Sequence, residues 1–170
     1  DSVLPGMGAA FVNIGLGKNG FLYVTDVVAG AAGYDKLFEE GAAEEDAPPA
    51  EKGKSFPPIN ELLKKGDEVL VQVVKEPIGT KGARVTSYIS LPGRYLVFMP
   101  TYDKVAVSRR ISSDKERRRL KDIVHELRPP GTGFIVRTVC EGMTSEDVKA
   151  DMDYLLKLWN LIQRTRGNAP

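Results

Sequence analysis

The sequence has 170 residues, of which 42% are hydrophobic and 28% charged, as in an ordinary folded protein with an apolar core. It contains no apolar run of the roughly 20 residues that a membrane helix needs. We also expect no signal peptide. The single cysteine, Cys140, excludes an intrachain disulfide and is typical of a protein in a reducing cytoplasm.

The net charge of +1 is unevenly distributed along the chain. Residues 1–66 carry 6 Lys/Arg against 10 Asp/Glu, whereas residues 67–170 carry 18 against 13. A basic folded part favours a polyanion as the partner.

The first part of the chain is predicted to be β-structure. The segments 9–14 and 20–27 are rich in β-branched and aromatic residues and flank GLGKNG, which fits a hairpin loop. Further strands are predicted at 67–76, after a short helical turn, and at 83–91. With the stub DSVLPGM these make about five short strands, which fit a small closed barrel of the OB type over residues 1–91.

Residues 28–59 interrupt this pattern. Gly, Ala, Pro and Glu dominate the run GAAEEDAPPAEKGK, and such a segment cannot bury enough apolar surface to offset the entropy that it loses on ordering. We therefore predict a flexible acidic insertion inside the first domain.

Residues 92–170 are predicted to form a second, smaller domain. Strands are expected in RYLVFMP, KVAVSRR and GFIVRTV. A helix is predicted at 114–127, where Ser113 and Glu116 have the spacing of a capping box and the run PPG follows. A long last helix starts near Thr144 and carries apolar residues along one face. The fold class of the chain is therefore α+β.

Three other signals are interpreted as carrying no function. The motif G-x-G-x-x-G at residues 15–20 resembles a dinucleotide fingerprint, but a β-type run follows it instead of the required helix. His125 is predicted to lie on the surface of a helix. Asp151 and Asp153 are poor joint metal ligands, because residues i and i+2 of a helix point apart.

Four blocks of the sequence resemble the RNase E/G family of endoribonucleases. They are GMGAAFVNIGLGKNGFLYV, GDEVLVQVVKEPIGTKGARVTSYISLPGRYLVFMP, VSRRI and GFIVRT, in the family's order and over nearly the whole chain apart from the acidic insertion. The resemblance implies an S-one-type OB-fold RNA-binding domain at 1–91, followed at 92–170 by an α+β 5′ sensor domain that ends in a long helix. It also implies an amino-terminal fragment, which begins inside the first barrel strand and ends before the catalytic subdomain.

The function expected from this resemblance is RNA binding and 5′-monophosphate sensing for a single-strand-specific endoribonuclease. Such an enzyme acts in RNA processing and decay, including rRNA maturation, in the cytoplasm of bacteria or in plastids. The partner is single-stranded RNA, preferably with a 5′ monophosphate. We expect no catalytic residue, metal site or cofactor in this chain. Magnesium, structural zinc and homo-oligomeric assembly are expected for the parent enzyme.

Phe11 and Phe21 lie ten residues apart, in the two strands of the predicted hairpin. On the outer face of a barrel such rings stack on unpaired bases, whereas on the inner face they belong to the core, and the periodicity leaves both positions open. The resemblance matches both with RNA-contacting phenylalanines of the family. It also places an RNA-backbone contact at Lys81, which is otherwise a solvated lysine on a Gly-flanked loop.

Arg137 stands in the otherwise apolar strand GFIVRTV, so its guanidinium must face solvent, pair with a carboxylate or meet a ligand. A guanidinium can bind a phosphate with two parallel hydrogen bonds, and Thr138 can supply a further donor. A structural ion pair is the alternative. The resemblance aligns Arg137 and Thr138 with the family's 5′-monophosphate ligands, and Gly93 and Val97 with the wall of the same pocket.

Two basic segments have open roles. Arg109 and Arg110 either steer RNA near the sensor pocket, as the resemblance implies, or pair with nearby acids. The run KERRRLK, at 115–121, is either a solvated helix face or part of an RNA path.

Two other functions are alternatives to 5′-end sensing. One is a generic single-stranded RNA-binding module, and the other is a protein-interaction scaffold that docks through the acidic insertion and the last helix. No Ser/His/Asp, Cys/His or spaced carboxylate set supports a hydrolase that acts through this chain alone.

Overall fold

The computed structural model describes residues 1–28 and 56–166 of the chain. They form two compact units, 1–28 with 56–89 and 90–166, and the fold is α+β. Residues 29–55, which hold most of the predicted acidic insertion, lie outside the described part. None of the helices described is both long enough and apolar enough to cross a lipid bilayer.

The first unit is built on a five-stranded sheet. In chain order its strands are β1 (Ser2–Leu4), β2 (Ala9–Val12), β3 (Gly20–Tyr23), β4 (Gln72–Lys75) and β5 (Arg84–Thr86). In space their order is β1-β2-β3-β5-β4, with β3 parallel to β5 and the other neighbours antiparallel. Two single-turn helices, α1 (Thr25–Val28) and α2 (Ile59–Leu62), accompany the sheet. Leu22, Ala83 and Val85 form the buried centre of the unit.

The first sheet is open over the residues described, because no pairing joins its edge strands β1 and β4. The five predicted strands are thus present without the predicted closure into a barrel. The edge strands are short: β1 pairs over three residues, and the segment predicted as a strand at 67–76 pairs only at Gln72–Lys75. Few backbone groups are therefore in position to close the ring.

Two other strands end earlier than their sequences predict. The segment 20–27 leaves the sheet after Tyr23 and turns into α1. The segment 83–91 leaves it after Thr86, because the Ser87 N–H and hydroxyl both donate to the Asp26 carbonyl of α1, at 3.1 and 2.5 Å. Contacts with α1 therefore replace strand pairing at this end of the sheet.

The second unit packs two helices on a four-stranded sheet. Its elements are β6 (Leu91–Pro92), β7 (Leu96–Met99), β8 (Val105–Val107), α3 (Asp114–Leu127), β9 (Gly133–Val136) and α4 (Ser145–Thr165). The sheet order is β6-β7-β9-β8, with β8 parallel to β9. The core consists of apolar side chains from the sheet, α3 and α4, among them Leu96, Phe98, Leu120, Val124, Phe134, Val136, Val148, Met152 and Leu155.

The amino-terminal ends of the two long helices are fixed by side-chain caps. The Ser113 hydroxyl accepts from the Glu116 N–H at 3.2 Å and starts α3 at the predicted residue. The Glu116 carboxylate does not complete the predicted capping box, because it binds Arg119 and the Gly142 N–H instead. A complete capping box forms at the start of α4, between Thr144 and Asp147.

Candidate nucleic-acid interface

The parallel pair β8 and β9 brings two basic segments to the same edge of the second sheet. Arg109 and Arg110 follow β8, and Arg137 and Thr138 follow β9. The turn before β7 reaches the same edge, because the Arg137 N–H donates to the Tyr95 carbonyl at 2.8 Å. Residues that are far apart in the sequence are therefore neighbours here.

Arg137 presents a guanidinium that no described acid neutralises. Its side chain is exposed, and Nη1 donates to the Gly93 carbonyl at 2.7 Å. Within residues 1–28 and 56–166 no carboxylate forms an ion pair with it. The contact with Gly93 uses one of its five N–H donors, so most of the fork is available to an anion.

Thr138 is hydrogen-bonded to Ser108, a contact that no signal in the sequence predicts. The Ser108 and Thr138 hydroxyl oxygens are 2.8 Å apart, and the Arg110 N–H donates to the Ser108 oxygen at 3.3 Å. A hydroxyl has one proton to donate. When Ser108 donates to Thr138, the proton of Thr138 is left for an anion beside Arg137.

The turn from Gly93 to Leu96 is held by a carboxylate from α4. Asp151 accepts from the N–H groups of Arg94, Tyr95 and Leu96 at 3.0, 2.8 and 2.9 Å. A Cβ on Gly93 would lie 2.6 Å from one Asp151 oxygen, so any larger residue there would displace the carboxylate from the turn. From the sequence Asp151 was predicted only to be a poor metal ligand, because no local signal indicates its contact with this turn.

Val97 lies in β7, directly opposite Pro92 and Ile135 of its neighbouring strands. It is half-buried, whereas Leu96 and Phe98 on either side of it are buried in the core. Its side chain therefore belongs to the sheet face opposite the core.

The other basic residues of the second unit fall into two groups. Arg109 and Arg110 are exposed and form no ion pair with the acids described. In contrast, Arg117 pairs with Asp114, and Arg119 pairs with Glu116 at 2.7 Å. Part of the run KERRRLK is therefore engaged within α3.

Phe11 and Phe21 are a cross-strand pair on the outer face of the first sheet. The register of β2 and β3 places them opposite each other, and their ring centroids are 5.3 Å apart at an interplanar angle of 74°. Phe11 is 36% exposed, Phe21 is partly exposed, and neither belongs to the buried cluster. Both rings are thus on the side of the sheet that a base could reach.

A single row of residues crosses all five strands of this sheet. Ser2, Phe11, Phe21, Arg84 and Lys75 each pair with the next. The aromatic rings occupy the middle of the row, and the cations occupy the side of β5 and β4. The position of Arg84 beside Phe21 was not predicted from the sequence, because the parallel pairing of β3 with β5 joins segments that are distant along the chain.

Lys81 lies at the end of the sheet, on a tight turn. Its backbone exchanges two hydrogen bonds with Ile78, at 3.0 and 3.2 Å, and its side chain is exposed. Lys18, from the loop before β3, donates to the Gly79 carbonyl within the same turn. Two lysines therefore stand at this end of the first unit.

Three residues with reactive or metal-binding side chains have separate structural surroundings. His125 is exposed on α3. Cys140 is buried in the core, and desolvation raises the pKa of its thiol to about 11. Asp153 pairs with Lys149 at 2.6 Å. Within the described ranges no three His, Cys, Asp or Glu side chains come together as metal ligands.

The motif at residues 15–20 leads into β3, a strand. It therefore lacks the helix N-terminus that a dinucleotide site requires.

Comparisons with known proteins point to one family. The model of the Ribonuclease E/G family matches residues 90–170. Ribonuclease G of Salmonella typhimurium is 44% identical over 164 residues, which are 96% of this chain and 31% of that protein. Ribonuclease G of Haemophilus influenzae is 44% identical over 168 residues, 99% of this chain and 32% of that protein.

Ribonuclease E of a Nostoc species is 44% identical over 165 residues, 96% of this chain and 21% of that protein. The chain thus spans less than a third of the length of these curated relatives.

Proposed function

Since the chain belongs to the Ribonuclease E/G family, we propose that it is the region of a single-strand-specific endoribonuclease that binds RNA and senses a 5′ monophosphate. Its partner is single-stranded RNA in the bacterial cytoplasm, in RNA processing and decay that include rRNA maturation. Two surfaces contact the RNA. They are the aromatic face of the first unit, with Phe11 and Phe21, and the basic edge of the second unit, with Arg109, Arg110 and Arg137.

The observation that carries the proposal is the unneutralised guanidinium of Arg137. An exposed arginine that is oriented by the Gly93 carbonyl and flanked by the Thr138 hydroxyl can bind a terminal phosphate through two or more hydrogen bonds. Arg109 and Arg110 add positive charge at the same edge and attract the RNA. Gly93 and Val97 form the wall of the pocket.

Discrimination between 5′ ends follows from the small number of donors. One phosphate is satisfied by Arg137 and Thr138, whereas a triphosphate brings more charge and bulk than these groups can accommodate. A 5′ hydroxyl lacks the anion that the guanidinium binds. RNA with a 5′ monophosphate is therefore bound more tightly than RNA with a 5′ triphosphate or a 5′ hydroxyl.

The first unit is proposed to be an S-one-type OB fold that holds the strand of RNA. Its strand order, with β3 parallel to β5, supports this assignment. Phe11 and Phe21 stack on bases, at roughly 1–3 kcal/mol per base, and Lys81 contacts the RNA backbone.

Cleavage belongs to other parts of the parent enzyme, which we propose to depend on magnesium, to contain structural zinc and to be a homo-oligomer. Asp151 and Asp153 do not form a pair of free metal ligands, because the Asp151 carboxylate accepts from three N–H groups and Asp153 pairs with Lys149. This chain by itself binds RNA and does not cut it.

The test is a titration of the 170-residue chain with one single-stranded RNA that carries a 5′ monophosphate, hydroxyl or triphosphate and a 3′ fluorophore. The wild type is expected to bind the monophosphate most tightly. Arg137→Ala should abolish this preference, with a loss of about tenfold or more for the monophosphate alone, because hydrogen bonds to charged groups contribute about 1.5–3 kcal/mol. Arg137→Lys should restore only part of it, because lysine lacks the planar fork.

Arg164→Ala removes the same charge from an exposed position at the far end of α4 and is the matched control. An unchanged preference in Arg137→Ala would place the pocket elsewhere. Equal binding of the three RNAs by the wild type would favour a plain single-stranded RNA-binding module.

A further inference from the structure

Tyr23 extends the aromatic face of the first unit beyond Phe11 and Phe21. Its ring centroid is 4.6 Å from that of Phe21, and the two rings meet edge to face at 74°. Tyr23 is 39% exposed, and its cross-strand partner is Ala9, which places no bulky side chain opposite the ring. The three rings therefore form one continuous surface along β2 and β3.

Arg84 borders this surface from β5. Its guanidinium carbon lies over the Tyr23 ring, 5.2 Å from the centroid, and Nη2 is 3.2 Å from the Asp26 carboxylate. The side chains of Arg84 and Asp26 are 23% and 16% exposed, so the pair is partly withdrawn from solvent. Asp26 thus holds the planar cation of Arg84 against the Tyr23 ring.

We propose that Tyr23 and Arg84 form an additional stacking position for a base of single-stranded RNA, next to that of Phe11 and Phe21. The inference rests on the proposed function and deepens it. A phenol ring and a guanidinium plane both stack on bases of any identity. RNA fits better than an apolar partner, because Arg84 places a guanidinium in register beside the rings.

A purely structural contact between Tyr23 and Arg84 has a different signature. Such a contact would change the stability of the sheet and would weaken every RNA by the same factor. A stacking position instead contributes only when the RNA is long enough to reach it. The dependence of affinity on RNA length therefore separates the two roles.

The experiment is a calorimetric titration of the 170-residue chain with oligouridylates of increasing length. Their 5′-hydroxyl ends exclude any contribution of a 5′ phosphate at Arg137. Tyr23→Ser should weaken the longer oligonucleotides by about fivefold or more and leave the shortest that binds nearly unchanged. Tyr23→Phe should retain the wild-type length dependence, and Arg84→Gln should lose part of it.

Tyr154→Ser is the matched control, because Tyr154 is 60% exposed in the other unit. If Tyr23→Ser does not melt cooperatively, Tyr23→Leu keeps an apolar side chain beside Phe21 without an aromatic face, and the same loss is expected.

Two outcomes would overturn the stacking position and leave the proposed function standing. One is unchanged affinity of Tyr23→Ser at every length while Phe21→Ser binds more weakly. The other is a loss by the same factor at every length. Absence of binding by the wild type would overturn both the stacking position and the proposed function.

Discussion

Asp151 holds the turn that carries the acceptor for Arg137. Its carboxylate accepts from three consecutive N–H groups, and Gly93 packs directly against it. The Gly93 carbonyl in turn accepts from the Arg137 guanidinium. The position of the guanidinium therefore depends on a residue of α4 that has no direct contact with the proposed phosphate.

Asp151→Ala should lower the free energy of unfolding by about 2 kcal/mol, because it leaves three donors of the turn without their charged acceptor. It should also reduce the preference for 5′-monophosphorylated RNA, because the turn no longer fixes Arg137. Urea unfolding and the three-RNA titration measure the two effects.

Asp153→Ala is the natural comparison, two residues away on the same helix. Its ion pair with Lys149 is an exposed i,i+4 pair, so we expect a change within about 0.5 kcal/mol and no effect on the 5′ preference. Similar losses in both variants would show that Asp151 has no special role.

Which site residues can be found in a sequence depends on where their partners lie. Arg137 can be singled out because a charge within an apolar strand needs an explanation, and Phe11 and Phe21 because they flank one hairpin. Asp151 and Arg84 cannot, since their roles depend on residues more than 50 positions away that only the fold brings near.

At the level of elements, Glu116 connects α3 to the loop that precedes α4. Its carboxylate accepts from Arg119 at 2.7 and 2.8 Å and from the Gly142 N–H at 2.8 Å. Arg119 also donates to the Met143 carbonyl at 2.8 Å. Hydrogen bonds from Arg119 and then from Gly142 lower the pKa of Glu116 to about 2.

The low pKa makes this connection sensitive to acid. The ionised form is favoured in the folded state, so Glu116 contributes fully above the ordinary pKa of 4.5, and its contribution is lost as the pH falls towards 2. Over that range the melting temperature of Glu116→Gln should fall less than that of the wild type. Glu126→Gln, at an exposed position of α3, should follow the wild type; equal slopes for Glu116→Gln and the wild type would contradict the prediction.

Helices were predicted more accurately than strands, for a physical reason. The bounds of α3 at 114–127 are as predicted, because its cap and the prolines that follow are local signals. Strands end where their partners end, so the segment 20–27 stops at Tyr23 and the segment 133–139 stops at Val136. The contact of Ser87 with α1 and the open form of the sheet over residues 1–28 and 56–89 likewise depend on distant residues.

At the scale of the whole molecule, charge divides the chain into an acidic first part and a basic second part. RNA binding should therefore weaken as salt rises, with a slope of about −0.7 in the logarithm of affinity against the logarithm of salt for each phosphate contacted. Arg137→Ala should have a shallower slope for 5′-monophosphorylated RNA, whereas Arg164→Ala should match the wild type. Titrations over a series of potassium chloride concentrations measure the slope, and a flat response of the wild type would argue against RNA as the ligand.

The parallel pairing of β8 and β9 determines where mutations that affect this end of the second sheet can lie. Two adjacent parallel strands require a crossover connection, and α3 provides the connection between β8 and β9. Leu120 and Val124 are both fully buried and pack α3 against the sheet. Under the proposed function, mutations that abolish the preference for a 5′ monophosphate are therefore expected at buried positions of α3 such as Leu120 and Val124, as well as at Arg109, Arg110 and Arg137.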